Sequence, residues 1–145
     1  MSTNIEIVSS HIDHEELTRF RYDIYVRGMK KNVAGADHDL GCISDEVDAI
    51  SKNFVIRKDN RILGSLRLTY SDELSSVPAK FAEFQEIFSF KPFLESTCGR
   101  LCFTSRLMIS PELRGSTLLW RLFSEAFRTA MSDGVLFDFC AAPPY

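Results

Sequence analysis

The chain has 145 residues, of which 45% are hydrophobic and 26% charged, a balance at which one domain buries a core without staples. A formal net charge of −3 argues against a broad nucleic-acid-binding face. No apolar run approaches the ~18 residues that cross a bilayer. The N-terminus has neither the basic nor the apolar stretch of a secretory signal, so the chain is expected in the cytoplasm. There the four cysteines, Cys42, Cys98, Cys102 and Cys140, are expected as reduced thiols, buried or half-buried. No second cysteine pair and no histidine cluster completes a zinc site, and no metal is expected.

Residues 5–10 alternate and predict a short first strand. Residues 14–29 predict a helix with Asp13 as N-cap and Glu16 three positions on, the capping-box spacing. Leu17, Phe20, Ile24 and Met29 form its apolar stripe. Residues 30–47 are polar and contain glycine, and predict a loop or broken helix, long enough to be functional or mobile. Residues 54–57 and 62–70 predict a hairpin joined through Lys58, Asp59, Asn60 and Arg61. Residues 79–90 predict a helix with Phe81, Phe84, Ile87 and Phe88 on one face. Residues 99–110 predict a long strand, and 112–133 a second strong helix ended by Gly134. Residues 135–142 predict a final strand, apolar enough to be buried, which either another subunit or further chain would have to cover. The whole, 1–145, reads as one domain without repeats or linkers.

Between the long strand and the last helix stands Arg114-Gly115-Ser116-Thr117. Backbone amides at a helix N-terminus lack internal partners and favour an anion. Gly115 lets the backbone approach a phosphate, Arg114 adds a charge-assisted contact, and the two hydroxyls add donors. The same residues also suit an ordinary helix start with a solvated arginine. The nucleotide-binding loops Gly-x-x-x-x-Gly-Lys and Gly-x-Gly-x-x-Gly are absent.

The segment "MISPELRG" entering a helix resembles the pantetheine-phosphate motif of the GCN5-related N-acetyltransferase (GNAT) superfamily, with Arg114 and Gly115 at its Arg-Gly positions and Thr117 and Leu119 where further glycines are usual. Arg21, Asp45 with Asp48, Gly64-Ser65-Leu66-Arg67-Leu68 and Ser105-Arg106 follow in the order seen in acyl-homoserine-lactone synthases and N-acyl amino acid synthases. The resemblance implies an α/β (α+β) fold, with a central mixed, mostly antiparallel sheet flanked by helices. It also implies that the fold is truncated after the fifth strand, with a C-terminal helix and strands missing.

For function the resemblance implies transfer of an acyl group from a pantetheine thioester, on acyl carrier protein or coenzyme A, to the amine of an amino acid or similar small molecule. Arg21, Asp45, Asp48, Arg67 and Arg106 become candidate catalytic residues, and Arg114, Gly115, Ser116 and Thr117 candidate co-substrate-binding residues. Arg67 and Arg106 on neighbouring strands suit a carboxylate, and the two aspartates an amine; equally, Arg67 suits an ion pair with those aspartates that fixes the loop. Phe103 stands where the family carries an acid, which leaves a water or a loop aspartate to take the proton. The phenylalanines either line an acyl pocket or form core. Arg114, Arg121 and Arg128 share a helix face suited to an acidic acyl carrier protein. Two other readings stand beside this one: an acyl-homoserine-lactone synthase using S-adenosylmethionine, and a non-catalytic ligand-binding or interaction module. Residues 28–33 lack the aromatics that would suit S-adenosylmethionine.

Overall fold

A computed structural model describes residues 3–97 and 99–141. Cys98, with its spacing to Cys102, and residues 142–145 at the expected end of the final strand lie outside the described residues. The core is a five-stranded sheet in the order β1 (Thr3–Ile7), β4 (Ser51–Lys58), β5 (Arg61–Ser71), β6 (Arg100–Ile109), β7 (Val135–Cys140). Its first four strands pair antiparallel, and β7 runs parallel to β6. Strand β5 is central and buried along nearly its whole length, so its alternation serves two faces. Leu66 and Leu68 join Phe54, Ile56 and Cys102 under helix α4 (Leu118–Ser132), whose Leu122, Ala126 and Ala130 lie four residues apart on one stripe. The opposite face carries Val55 under helix α1 (His11–Tyr22) and a second cluster of Phe81, Phe84, Phe90, Phe103 and Phe139. Arg67, between Leu66 and Leu68, therefore points to this second face.

Several boundaries differ from expectation. Ser10, not Asp13, caps α1: the Asp13 amide donates to Ser10 Oγ, and Ser10 Oγ donates back to the Asp13 carboxylate at 2.5 Å. The helix then widens into a π-helical turn over Asp23–Gly28. The 30–47 segment holds a small hairpin of β2 (Ala36–Asp37) and β3 (Cys42–Ile43). Only Asp59 and Asn60 form the β4–β5 turn, both at positive φ, as a two-residue hairpin of this twist requires. The expected helix over 79–90 is broken into a 3₁₀ turn at Ala79–Phe81, α2 (Glu83–Ile87) and α3 (Phe90–Thr97). Phe84 and Phe90 are six residues apart and cannot share one helical face, yet both are buried against Phe103. Ile87, placed on the buried face by its spacing, is exposed. Helix α4 begins at Leu118, six residues later than expected, after a 3₁₀ turn at Pro111–Leu113. Gly134, at φ +81, ends α4 as expected. Strand β7 is not buried: it is the edge of the sheet, with Val135 and Phe139 inward and Leu136 exposed. Cys140 on it is exposed, while Cys42 is half-buried and Cys102 buried.

Candidate active site

Strand β6 pairs with β7 only from Arg100 to Thr104; among the described residues, 105–109 have no strand partner on that side. On its other side β6 carries a bulge. Ser65 faces Met108 and Arg67 faces Ser105, so Leu66 opposes two residues, Arg106 and Leu107. Arg106 takes φ 55, the left-handed region that side chains avoid unless the surroundings impose it. Gly64 sits just before the bulge, where a Cβ would come within 2.9 Å of Ile56 Cδ1. The divergence and the bulge together open a cleft of about 550 Å³ along the unpaired part of β6.

One wall of the cleft is backed by an ion network. Arg21 and Arg67 are both buried. Arg21 donates to Asp48 at 2.7 Å and Asn53 at 2.8 Å. Arg67 donates to Asp45 at 2.6 Å, Asp48 at 2.9 Å and Ser105 Oγ at 3.1 Å. Arg106 donates to the other oxygen of Asp45 at 3.0 Å, which also accepts from Lys80. Four cations thus face two carboxylates, and the surplus of two positive charges faces the cleft through Lys80 and Arg106. Burial alone would raise the aspartate pKa values. Hydrogen bonds from Lys80, Arg67 and Arg106 outweigh burial at Asp45, as those from Arg21 and the Asp45 amide do at Asp48, and both carboxyls fall below the ordinary range. Burial lowers the Arg21 pKa against the pull of Asp48.

The structure therefore brings Arg21, Asp45, Asp48, Arg67 and Arg106 together. It uses the aspartates on internal cations rather than leaving them free for an amine, and it buries Arg67 away from any carboxylate ligand. Arg106 reaches the cleft, beneath which Tyr25 from the π-turn lies 5.8 Å away, ring to guanidinium. Lys80 and Tyr25 had no distinguishing sequence signal. Asn53 did: it is a polar residue at the start of an apolar strand. Phe103 is fully buried, stacked on Phe81 at 4.6 Å and beside Phe139 at 5.8 Å.

At the other end of the cleft stands the Arg114–Thr117 turn. Arg114 is exposed and lines the cleft. Gly115 holds φ +77, and nothing lies within 4 Å of where its Cβ would be. Ser116 Oγ accepts from the Leu118 amide at 3.3 Å, so it serves the helix start, and Thr117 is exposed. Open space and an exposed arginine at the start of a helix fit a phosphate. Among the described residues no group of three or more His, Cys, Asp or Glu is placed to hold a metal ion, and no helix is long and apolar enough to cross a membrane.

The fold matches solved structures over nearly its whole length. An N-acyl amino acid synthase from uncultured soil microbes aligns with a TM-score of 0.70 at 10% identity, over 99% of this chain and 72% of that one. An integron cassette protein from the mobile metagenome of V. cholerae aligns at 0.66 and 17% identity, over 99% and 76%. An aminoglycoside acetyltransferase from an uncultured soil metagenomic sample aligns at 0.61 and 11% identity, over 100% and 82%. No curated protein matches the sequence. The family profile of the acetyltransferase (GNAT) domain matches residues 20–124, from the last turns of α1 through the β6 bulge and the Arg114 turn into α4, and the chain belongs to that family of acetyltransferases.

Proposed function

We propose that the protein is an N-acyltransferase that moves an acyl group from a pantetheine thioester to the amine of an amino acid or similar small molecule. The observation that carries this reading is the layout of one cleft: a phosphate-sized turn at Arg114 and Gly115, a bulged strand with unpaired backbone, and the cationic pair Lys80 and Arg106. The thioester, when bound, supplies the activated acyl carbon. Arg114 and the first-turn amides of α4 would hold its phosphate. Amides of 105–109 on the side away from β5 would face its carbonyl, where negative charge develops. Lys80 and Arg106 would hold a carboxylate on the acceptor. Phe103 provides no base, and its place inside the phenylalanine cluster makes most of that cluster core rather than acyl pocket.

An amino acid suits this wall better than S-adenosylmethionine. Tyr25 is an aromatic beside the cleft, and its ring already packs on Arg106. The donor is coenzyme A or acyl carrier protein. Helix α4 begins after Arg114, so the expected face of Arg114, Arg121 and Arg128 is not one helix face; Arg114 and Arg121 are both exposed, which suits the acidic carrier, while Arg128 is paired with Glu125 at 3.1 Å. The test is mass spectrometry of products from acetyl-coenzyme A, dodecanoyl-coenzyme A and dodecanoyl acyl carrier protein, each given with the twenty amino acids and S-adenosylmethionine. N-acyl amino acids are expected. Acyl-homoserine lactones would overturn the acceptor, and bound coenzyme A with no product would favour a ligand-binding module.

A further inference from the structure

We propose that Glu83 receives the ammonium group of the acceptor, in the cleft that the Lys80–Arg106 pair also lines, so that the cleft reads a zwitterion; this rests on the N-acyltransfer reading above. An amine nucleophile reaches the site largely as an ammonium at neutral pH, so some group must hold a cation and then let its proton go. The two conspicuous aspartates are not available. Asp45 and Asp48 accept from four internal cations, and their carboxyls are held ionised by those partners. Asp138 is also engaged: its oxygens accept from the Thr104 amide at 3.1 Å and Thr104 Oγ at 2.7 Å. It opens on a separate, mostly apolar pocket of about 160 Å³ between α4 and the sheet.

Glu83 differs on each count. Among the described residues it is the carboxylate that lines the cleft, beside the cations Lys31, Lys80, Arg106 and Arg114. It is exposed, with no ion pair or hydrogen bond among the described residues. It stands three residues from Lys80 and next to Phe84. Phe81 and Phe84 are buried in the phenylalanine cluster, so the backbone that carries Glu83 is anchored on both sides. A carboxylate left unpaired in a cleft with four cations is free to meet a substrate cation.

The proton balance follows. The nitrogen gives one proton to Glu83, which returns it to solvent. Its lone pair then bonds to the acyl carbon as the carbon–sulfur bond breaks, and its second proton goes to the departing thiolate, giving amide and free thiol.

The experiment is steady-state thiol release with the donors named above, varying each L-amino acid that the wild-type protein acylates. The same panel is run on Glu83→Gln and Glu83→Asp, with saturation-transfer NMR of the amino acid in the presence of coenzyme A. Loss of one charge-assisted contact is expected to raise the amino-acid KM about tenfold or more in Glu83→Gln. The KM of the thioester should stay unchanged, the NMR signal should fall in parallel, and Glu83→Asp should restore part of both. An unchanged thermal midpoint shows that the variant is folded, as an exposed site predicts. Equal amino-acid KM and equal NMR signal in Glu83→Gln and wild type would overturn the role of Glu83 and leave the acyl-transfer reading standing. A wild-type protein that acylates no amine with any donor would overturn both.

Discussion

Arg67 and Arg106 share a charge and a carboxylate partner, but their surroundings give them different work. The Arg67 side chain is 0% exposed and spans Asp45, Asp48 and Ser105, whereas Arg106 is 10% exposed and reaches the cleft with a single bond to Asp45. Removing Arg67 leaves two half-buried carboxylates short of a partner, so Arg67→Ala is expected to cost about 3–5 kcal/mol in urea unfolding. Arg106→Ala leaves Asp45 with Arg67 and Lys80, so it should cost far less stability and instead raise the acceptor KM. Equal stability losses in the two variants would refute this division. The meeting of these residues was expected from the order they share with the synthase family. Their division of labour was not, because it depends on which face of β5 and β6 each occupies and on the bulge that turns Arg106 outward. The same holds for Phe103. Its sequence position suggested a missing acid, and its packing supplies the reason: an ionised carboxylate among Phe81, Phe84, Phe90 and Phe139 would be buried without a partner, at a cost of several kcal/mol.

Under the proposed function, donor binding would depend on the turn between β6 and α4. Gly115 is required there by conformation, not by space, since its φ is +77 and its surroundings are open. Gly115→Ala should therefore destabilise by about 1 kcal/mol through left-handed strain, whereas Gly115→Asn, a residue that tolerates this region, should cost less. Both add a side chain at the phosphate position, so calorimetry should show weaker coenzyme A binding in both; full affinity in both would remove the turn from the site. The sequence placed this turn correctly after a strand and before a helix. It misjudged where the helix begins, since Pro111 suits the first position of either a 3₁₀ turn or an α-helix. Periodicity also failed over residues 79–90, where a 3₁₀ turn and two short helices bring Phe84 and Phe90 to the same cluster. The apolar run of the final strand suggests burial on both faces; among the described residues β7 pairs with β6 alone, and Val135 and Phe139 are its buried residues.

For the molecule as a whole, the mixed, mostly antiparallel sheet followed from the family resemblance, while the order of its strands came from the structure, since local pattern cannot say which strands neighbour one another. An ion pair of Arg67 with Asp45 and Asp48 that fixes the loop was one of two readings of the sequence; the structure shows that pair and adds Arg21, which ties the same loop to α1. Loop, α1 and central strands are joined through Arg21 and Arg67, so the stability of the whole should depend on those two carboxylates staying ionised. Their folded pKa values lie below the ordinary aspartate value. A depressed carboxylate contributes its full stabilisation above the unfolded pKa, about 4, and loses it as pH falls from there through the folded value. Asp138 has the opposite sign, because burial raises its pKa despite hydrogen bonds from Thr104, so protonating it slightly favours the folded state on the way down. Asp72 beside Arg100 and Asp133 beside Lys52 are depressed as well, so four depressed aspartates against one raised leave a net loss on the acid side. Thermal midpoints from about pH 7 to about pH 3 should hold nearly level to about pH 5 and then fall steeply below about pH 4. Asp48→Asn, which gives up part of this linkage and leaves Arg21 short of its partner, should start lower at neutral pH and fall less on acidification. A wild-type midpoint that stays level down to pH 3, or an Asp48→Asn variant that follows the wild-type slope, would show that the network does not hold the fold together.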